Sequence, residues 1–230
     1  MNLQGKVMDR QHYKIYCAGP LFNPKEREEM STIASVLKRA AYSIFLPQEN
    51  GLKFAELLPA LIEKNIETEN ATKMLNMAIF SLDVFEVMNS DGLILNMNGR
   101  VPDEGAMVEA GIAWSHNKTI VIFKNDDRSL IQGNCNPLVM GLSDFEFVDK
   151  YEEIPTAFDR NWAEPSKSSS PSLSSNFETT SKNGQKISNY LSRGRTFDEV
   201  VELLIKLFAE VSCLISKDPK TNSFQASTQP

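Results

Sequence analysis

Gly92-Leu93-Ile94-Leu95-Asn96-Met97 is followed by a polar loop from Asn98 to Glu104, a helical segment over residues 105–116, and Thr119-Ile120-Val121-Ile122-Phe123. Neither apolar run alternates with polar residues, the pattern of strands covered on both faces. With a helix between them they make a strand–helix–strand unit of parallel strands. Upstream, Tyr13-Lys14-Ile15-Tyr16-Cys17-Ala18 reads as another buried strand, broken by Gly19-Pro20. Asn23 then caps and Pro24 opens a helix to Arg39, with Ile33, Val36 and Leu37 as its apolar stripe. Ser43 to Leu46 is a strand candidate closed by Pro47, and residues 59–89 are mostly helical in pattern.

This alternation predicts an α/β fold: a doubly wound, flavodoxin-like (Rossmann-like) parallel sheet of about five strands flanked by helices. The 230 residues fit one domain or a domain with an appendage. Residues 1–12 read as an N-terminal tail and 13–150 as the main domain. Residues 151–195 read as a Ser-rich flexible insertion. Between 163 and 194, centred on Ser168-Ser169-Ser170-Pro171-Ser172, too little apolar area is present to offset ordering entropy. Its removal is expected to spare the function. Residues 196–216 form a helix in which Thr196 caps and Glu199 holds the capping-box position. Its stripe of Val200, Leu203, Leu204, Leu207, Phe208 and Val211 predicts docking on the domain, and 217–230 reads as a disordered tail.

Acidic residues outnumber basic ones 30 to 24, for a net charge of −6, which argues against nucleic acid or an anionic membrane as partner. Cys17, Cys135 and Cys213 stand in no metal-ligand spacing and there are only 2 histidines, so neither a zinc ribbon nor a disulfide scaffold fits. No metal and no cofactor is expected. No apolar run approaches the ~20 residues of a membrane span, and the first residues carry no apolar signal core. A cytoplasmic small-molecule enzyme is the expected class. Phosphate loops of the Gly-x-x-x-x-Gly-Lys-Ser/Thr kind, the Gly-x-Gly-x-x-Gly fingerprint and the Gly-x-Ser-x-Gly elbow do not occur in the sequence. His12 and His116 read as surface residues and Cys17 as a small core residue. Carboxylate chemistry remains.

Glu109 is the sole charge in Ala106-Met107-Val108-Glu109-Ala110-Gly111-Ile112-Ala113-Trp114. Ala106, Glu109, Ala110 and Ala113 share one helical face, and a carboxylate among small residues implies a close neighbour: another helix or a ligand. An exposed glutamate on a helix buried along its other side is the plain alternative. Asp103 and Glu104 at the helix start complement its dipole.

These segments resemble the nucleoside 2-deoxyribosyltransferase family. The matching residues are Ile15-Tyr16-Cys17-Ala18-Gly19-Pro20-Leu21-Phe22, Pro47-Gln48-Glu49, Asp83 with Ser90-Asp91, Asp103 to Ala113, and Asn136-Pro137-Leu138-Val139-Met140. The resemblance runs over residues 13–148, and Asp-x-Gly-x-x-x-Glu-x-Gly is its most specific element. It implies exchange of purine and pyrimidine bases on 2-deoxyribose with retention, through a deoxyribosyl ester on Glu109. Tyr16 would steady that carboxylate, and Asp83 and Asp103 would contact the base, one of them as proton donor. Gln48 would hold the base edge. Gly19, Phe22 and Gly105 would line the substrate, and Asn136 and Met140 would reach the sugar from a neighbouring subunit. The partners implied are 2′-deoxynucleosides, free nucleobases and further copies of the chain in a homo-oligomer.

Two other readings stand beside it: a hydrolase of deoxynucleoside 5′-monophosphates with the same fold, and a non-catalytic nucleotide-sensing module. The loop after the first strand lacks the basic and glycine-rich residues of the hydrolase class, and Arg100 is the one nearby cation that keeps it open.

Overall fold

Four parallel strands, β1 (Lys14–Ala18), β2 (Ser43–Phe45), β3 (Gly92–Asn96) and β4 (Thr119–Phe123), pair in the order β2-β1-β3-β4. The computed structural model describes residues 9–99, 103–126, 135–163 and 175–215. Arg100, the Ser168-to-Ser172 run and the tail from 217 lie outside the described residues. The order matches the first four strands of the doubly wound 2-1-3-4-5 arrangement. Where about five strands were expected, the described residues hold four, plus a single parallel bridge from Phe123 to Val148. Asp144 and Phe145 adopt left-handed conformations (φ 54° and 67°), which prevents an extended run leading into Val148.

Side chains alternate across the strands. Tyr16, Ala18, Leu93, Leu95, Ile120 and Ile122 face one core; Ile15, Cys17, Ile94, Val121 and Phe123 face the other. The second core is closed by α1 (Pro24–Arg39) and α7 (Ile154–Ala163) through Met30, Ile33, Leu37, Ile154 and Phe158. Asn23 and Glu26 form the reciprocal capping box that starts α1, as its Asn-Pro opening predicts. At the carboxyl edge of β2 sits the short α2 (Pro47–Asn50).

The first core is covered by α3 (Phe54–Glu63), α4 (Thr68–Met88) and α5 (Glu104–Ser115), with α8 (Ser175–Ser192) and α9 (Phe197–Ile215) outside them. The helical stretch expected over 59–89 is two helices. It breaks after Lys64, where Asn65 takes a left-handed conformation (φ 60°). A short α6 (Pro137–Met140) follows β4 and buries Met140 against α5's core. Thr196 and Glu199 make the predicted capping box, and Val200, Leu204 and Phe208 of α9 enter the core.

The segment read as a flexible insertion carries two helices instead, and its described part is built into the fold. Phe158 and Trp162 of α7 pack over Gly92, where a Cβ would stand 2.7 Å from the Phe158 ring. On α8, Gly184, Ile187, Ser188 and Leu191 recur at helical spacing. Gly184 approaches α4 so closely that a Cβ there would lie 1.9 Å from the Ser81 carbonyl oxygen. High average polarity conceals this narrow stripe, whose smallest member makes the closest approach while Ile187 is buried in the core. Arg10, in a short turn ahead of β1, pairs with Asp159 of α7, which also accepts from the Tyr42 hydroxyl at 2.6 Å. Among the described residues no helix is long and apolar enough to cross a membrane.

Candidate active site

Three of the singled-out residues meet on the sheet face beneath α4 and α5. Tyr16 is fully buried at the middle of β1, with Phe45 and Leu93 as its strand partners and its ring stacked on Phe45 at 5.5 Å. Its hydroxyl donates to Glu109 Oε1 at 2.6 Å. Glu109 is half-buried on α5, beside Ala106, Ala110 and Ala113, which are buried and small enough to let α5 settle on the strands. The close neighbour that the small-residue face implied is therefore β1, through Tyr16. Asp83, on the facing turns of α4, completes the group.

Electrostatics bind the three together. Burial pushes the Glu109 carboxyl up to about 8, with Asp83 adding to the rise and the Tyr16 hydrogen bond opposing it. Burial likewise pushes Asp83 up to about 7, reinforced by Glu86, and again opposed by Tyr16. The Tyr16 hydroxyl itself is held well above the usual tyrosine range, by burial first and then by the two carboxylates. Near neutrality the pair Asp83–Glu109 thus retains a proton and titrates as a unit. Perturbation of this kind, at groups joined by a short hydrogen bond, marks functional sites.

The remaining candidates divide. Asp103 caps α5, accepting from the Ala106 amide at 2.6 Å, and its charge also acts on Glu109. A Cβ at Gly105 would stand 3.2 Å from Asp103 Oδ1, a tight but yielding contact. Gly19 has no such latitude: a Cβ would meet Met30 Sδ at 2.5 Å and Asn96 Cβ at 2.8 Å, so the loop after β1 sits directly on β3's carboxyl end. On α2, Gln48 donates to the Arg27 carbonyl (2.9 Å) and Ser31 Oγ (2.7 Å), while its own carbonyl oxygen is buried without a partner. Met140 is core. Two residues stand apart from the cluster: Phe22 is 76% exposed, and Asn136 is exposed and caps α6 by accepting from Leu138 N at 3.0 Å. Ser90 and Asp91 serve the scaffold. Asp91 accepts from the Lys14 amide at 2.7 Å, and Ser90 Oγ donates to the Glu86 carbonyl.

Sequence reasoning passed over Glu86, buried one turn from Asp83, and Glu29 on α1, which accepts from Asn96 (2.9 Å) and Asn98 (2.6 Å) at the end of β3. Asp83 and Glu86, three apart in Leu82-Asp83-Val84-Phe85-Glu86-Val87, share one helical face that could equally have met water, so the sequence carried no signal for the burial of Glu86. Among the described residues no group of His, Cys, Asp and Glu is placed to hold a metal ion.

An open parallel sheet with a buried tyrosine hydrogen-bonded to one of two coupled carboxyls defines a class of α/β proteins equipped for carboxylate chemistry. The family model for nucleoside 2-deoxyribosyltransferases matches residues 15–183, and the chain belongs to that family. The match continues through α7 and into α8, past the point where the recognisable motifs end. Among solved structures, the chain is similar to a conserved protein from Enterococcus faecalis V583 (22% identity, TM-score 0.48, covering 65% of this chain and 98% of that one). It is also similar to a 2-deoxyribosyltransferase from the psychrotolerant bacterium Bacillus psychrosaccharolyticus (21% identity, TM-score 0.47, covering 62% and 90%). No curated protein matches the chain.

Proposed function

We propose that the protein exchanges bases on 2′-deoxynucleosides by two displacements at the anomeric carbon. In the first, ionised Glu109 forms a bond to C1′ as the C1′–N bond breaks, and Asp83 delivers its proton to the departing base. In the second, an incoming base nitrogen attacks C1′ from the face the first base left, the ester bond breaks, and a proton returns to Asp83. Two inversions give retention. The oxocarbenium-like state is stabilised by the adjacent carboxylate, more readily so for a sugar lacking the electron-withdrawing 2′-hydroxyl.

The observation that carries this reading is the Tyr16–Glu109 hydrogen bond with Asp83 coupled to it. A donor to a carboxylate favours its ionised form, so the Tyr16 bond supports Glu109 as the nucleophile, and the raised Asp83 carboxyl suits a proton donor. Asp83 is a better proton donor than Asp103, whose carboxylate already accepts from the Ala106 amide. The unpartnered Gln48 oxygen suits the amino edge of a base. Exposed Val108 and Trp114 on α5, with Leu138 (84% exposed) next to Asn136, support a neighbouring copy that covers this face and brings its own Asn136 to the sugar. A cytoplasmic setting fits substrates of this kind.

The test is to measure new nucleoside and free deoxyribose together while adenine is titrated against deoxyinosine or thymidine. A bound base held against the anomeric carbon gains ~7–11 kcal/mol of proximity advantage in favourable cases, which water does not share. Exchange is expected to exceed hydrolysis once acceptor is present. Dominant deoxyribose release at saturating levels of every base would make the protein a hydrolase, and release only from 5′-monophosphates would make it a monophosphate glycosidase. Ligand binding with no turnover of any donor would leave a sensing module.

A further inference from the structure

Glu86 lies one helical turn beyond Asp83 on α4 and is 2% exposed. The Lys14 ammonium on β1 pairs with its Oε2, and the Ser188 hydroxyl on α8 donates to its Oε1. Three separate elements therefore converge on one buried carboxylate. For cohesion alone this is a poor choice, because apolar side chains of similar volume hold helices and strands together at least as well as a buried ion pair. What apolar residues cannot provide is a carboxylate on the same helical face as Asp83, where residues three apart have their Cβ atoms ~5–6 Å from one another.

We infer that the Lys14–Glu86–Ser188 cluster is a positioning device whose buried carboxylate favours the protonated form of Asp83, the group that hands a proton to the leaving base. This rests on the transferase reading above for its purpose, though not for its electrostatics. Among the described groups near Asp83, Tyr16 from β1 donates within the site, Glu109 from α5 is the coupled carboxyl, and Glu86 from α4, with Lys14 of β1 paired to it, lies outside the reacting set. On the other helices packed on α4, the described charged residues are exposed (Glu56, Glu63 and Lys64 at α3, Lys182 and Lys186 of α8, Asp198, Glu202 and Lys206 of α9), apart from Glu199 at the start of α9, which is half-buried and pairs with Arg195. Glu86 is correspondingly the largest influence raising the Asp83 carboxyl after burial itself. The geometry also gives α8 a part in the chemistry. Gly184 brings the helix into backbone contact with Ser81, and one turn later Ser188 reaches Glu86.

The test reads Asp83 directly, by a carboxyl carbon NMR titration of the full chain, with its signal assigned from the resonance lost in Asp83→Asn. In Glu86→Gln the Asp83 midpoint is expected to fall by about one pH unit, and the alkaline limb of base exchange to fall with it. Lys14→Gln combined with Glu86→Gln removes both charges together and avoids a stranded ammonium. It is expected to shift the midpoint in the same direction but by less, because the cation that offsets Glu86 goes with it, so the test survives if the single variant fails to fold. An unchanged Asp83 midpoint in a folded variant overturns the inference, since a merely structural role would alter stability and leave the titration in place. If the midpoint shifts but the parent protein exchanges no base, the charge relation stands and it is the transferase reading that falls.

Discussion

The Tyr16 hydroxyl and Glu109 Oε1 are 2.6 Å apart, joined across 93 residues of sequence. One partner is a strand residue with no exposure and the other a helix residue at the edge of solvent, so the bond fixes how α5 sits on the sheet as well as the state of the carboxylate. Tyr16→Phe keeps the ring stacked on Phe45 and removes only the donor. Turnover is expected to drop by ~10²–10³, the usual loss for one preorganised donor. Because the lost bond favoured ionised Glu109, the ascending limb of the pH–rate profile should move to higher pH. A fall in rate with an unmoved limb would show that the hydroxyl acts on something other than Glu109.

Glu109 should also cost the protein stability in alkali. Its carboxyl is raised from 4.5 to about 8 in the folded chain, so between those values the folded state binds more protons than the unfolded one. Stability is therefore full at low pH and lost as pH rises through about 8. Glu109→Gln removes the ionisation. It is expected to abolish exchange while melting several degrees above the parent at about pH 9, each kcal/mol being worth ~2–4 °C at this size. The difference should shrink toward pH 5. Equal melting temperatures across that range would contradict the burial of the charge.

If Asn136 serves a neighbour's sugar, inactive Glu109→Ala and inactive Asn136→Ala chains should complement each other. Subunit exchange between them creates some sites with both residues intact, up to about one in four in a random dimer. Recovery is measured after mixing, with exchange verified by mass. Absence of recovery in verified mixed oligomers would place Asn136 outside the shared site.

Gly184→Val should be among the more damaging single changes in the chain. A Cβ there has the Ser81 carbonyl at 1.9 Å and Phe85 Cβ at 2.3 Å, both on α4. Neither can retreat without moving α4, and forced overpacking costs typically ~1–3 kcal/mol or more. A lowered melting temperature together with impaired exchange is expected, and so is the same outcome on deleting residues 163–194. Full activity in either variant would return the segment to the status of a dispensable insertion.

The strands, α1 and α5 were legible because each is a local signal: unbroken apolar runs, an Asn-Pro cap, a lone acid among alanines. Tyr16, Asp83 and Glu109 were legible as family motifs, and the geometry brings them together without having been used to choose them. α8 was not legible, since its narrow stripe of Gly184, Ile187, Ser188 and Leu191 holds few apolar residues and is masked by the polarity around it. Glu86 was not legible either. Its burial depends on Lys14 and Ser188, 72 and 102 residues away in the chain, and no window of sequence contains all three. Phe22, the last residue of the first matching segment, is exposed in the single chain.

The separation in sequence of the groups that meet around Asp83 has a consequence for how the protein comes into being. A chain leaving the ribosome carries Lys14 and Tyr16 first and Ser188 last, with Glu86 and Glu109 between them. Long-range pairings of this kind must close large loops before any contact rewards them, and parallel sheets form slowly for that reason. No fragment ending before α8 contains the Ser188 hydroxyl that completes the hydrogen bonds of Glu86, so the full set closes only when α8 docks.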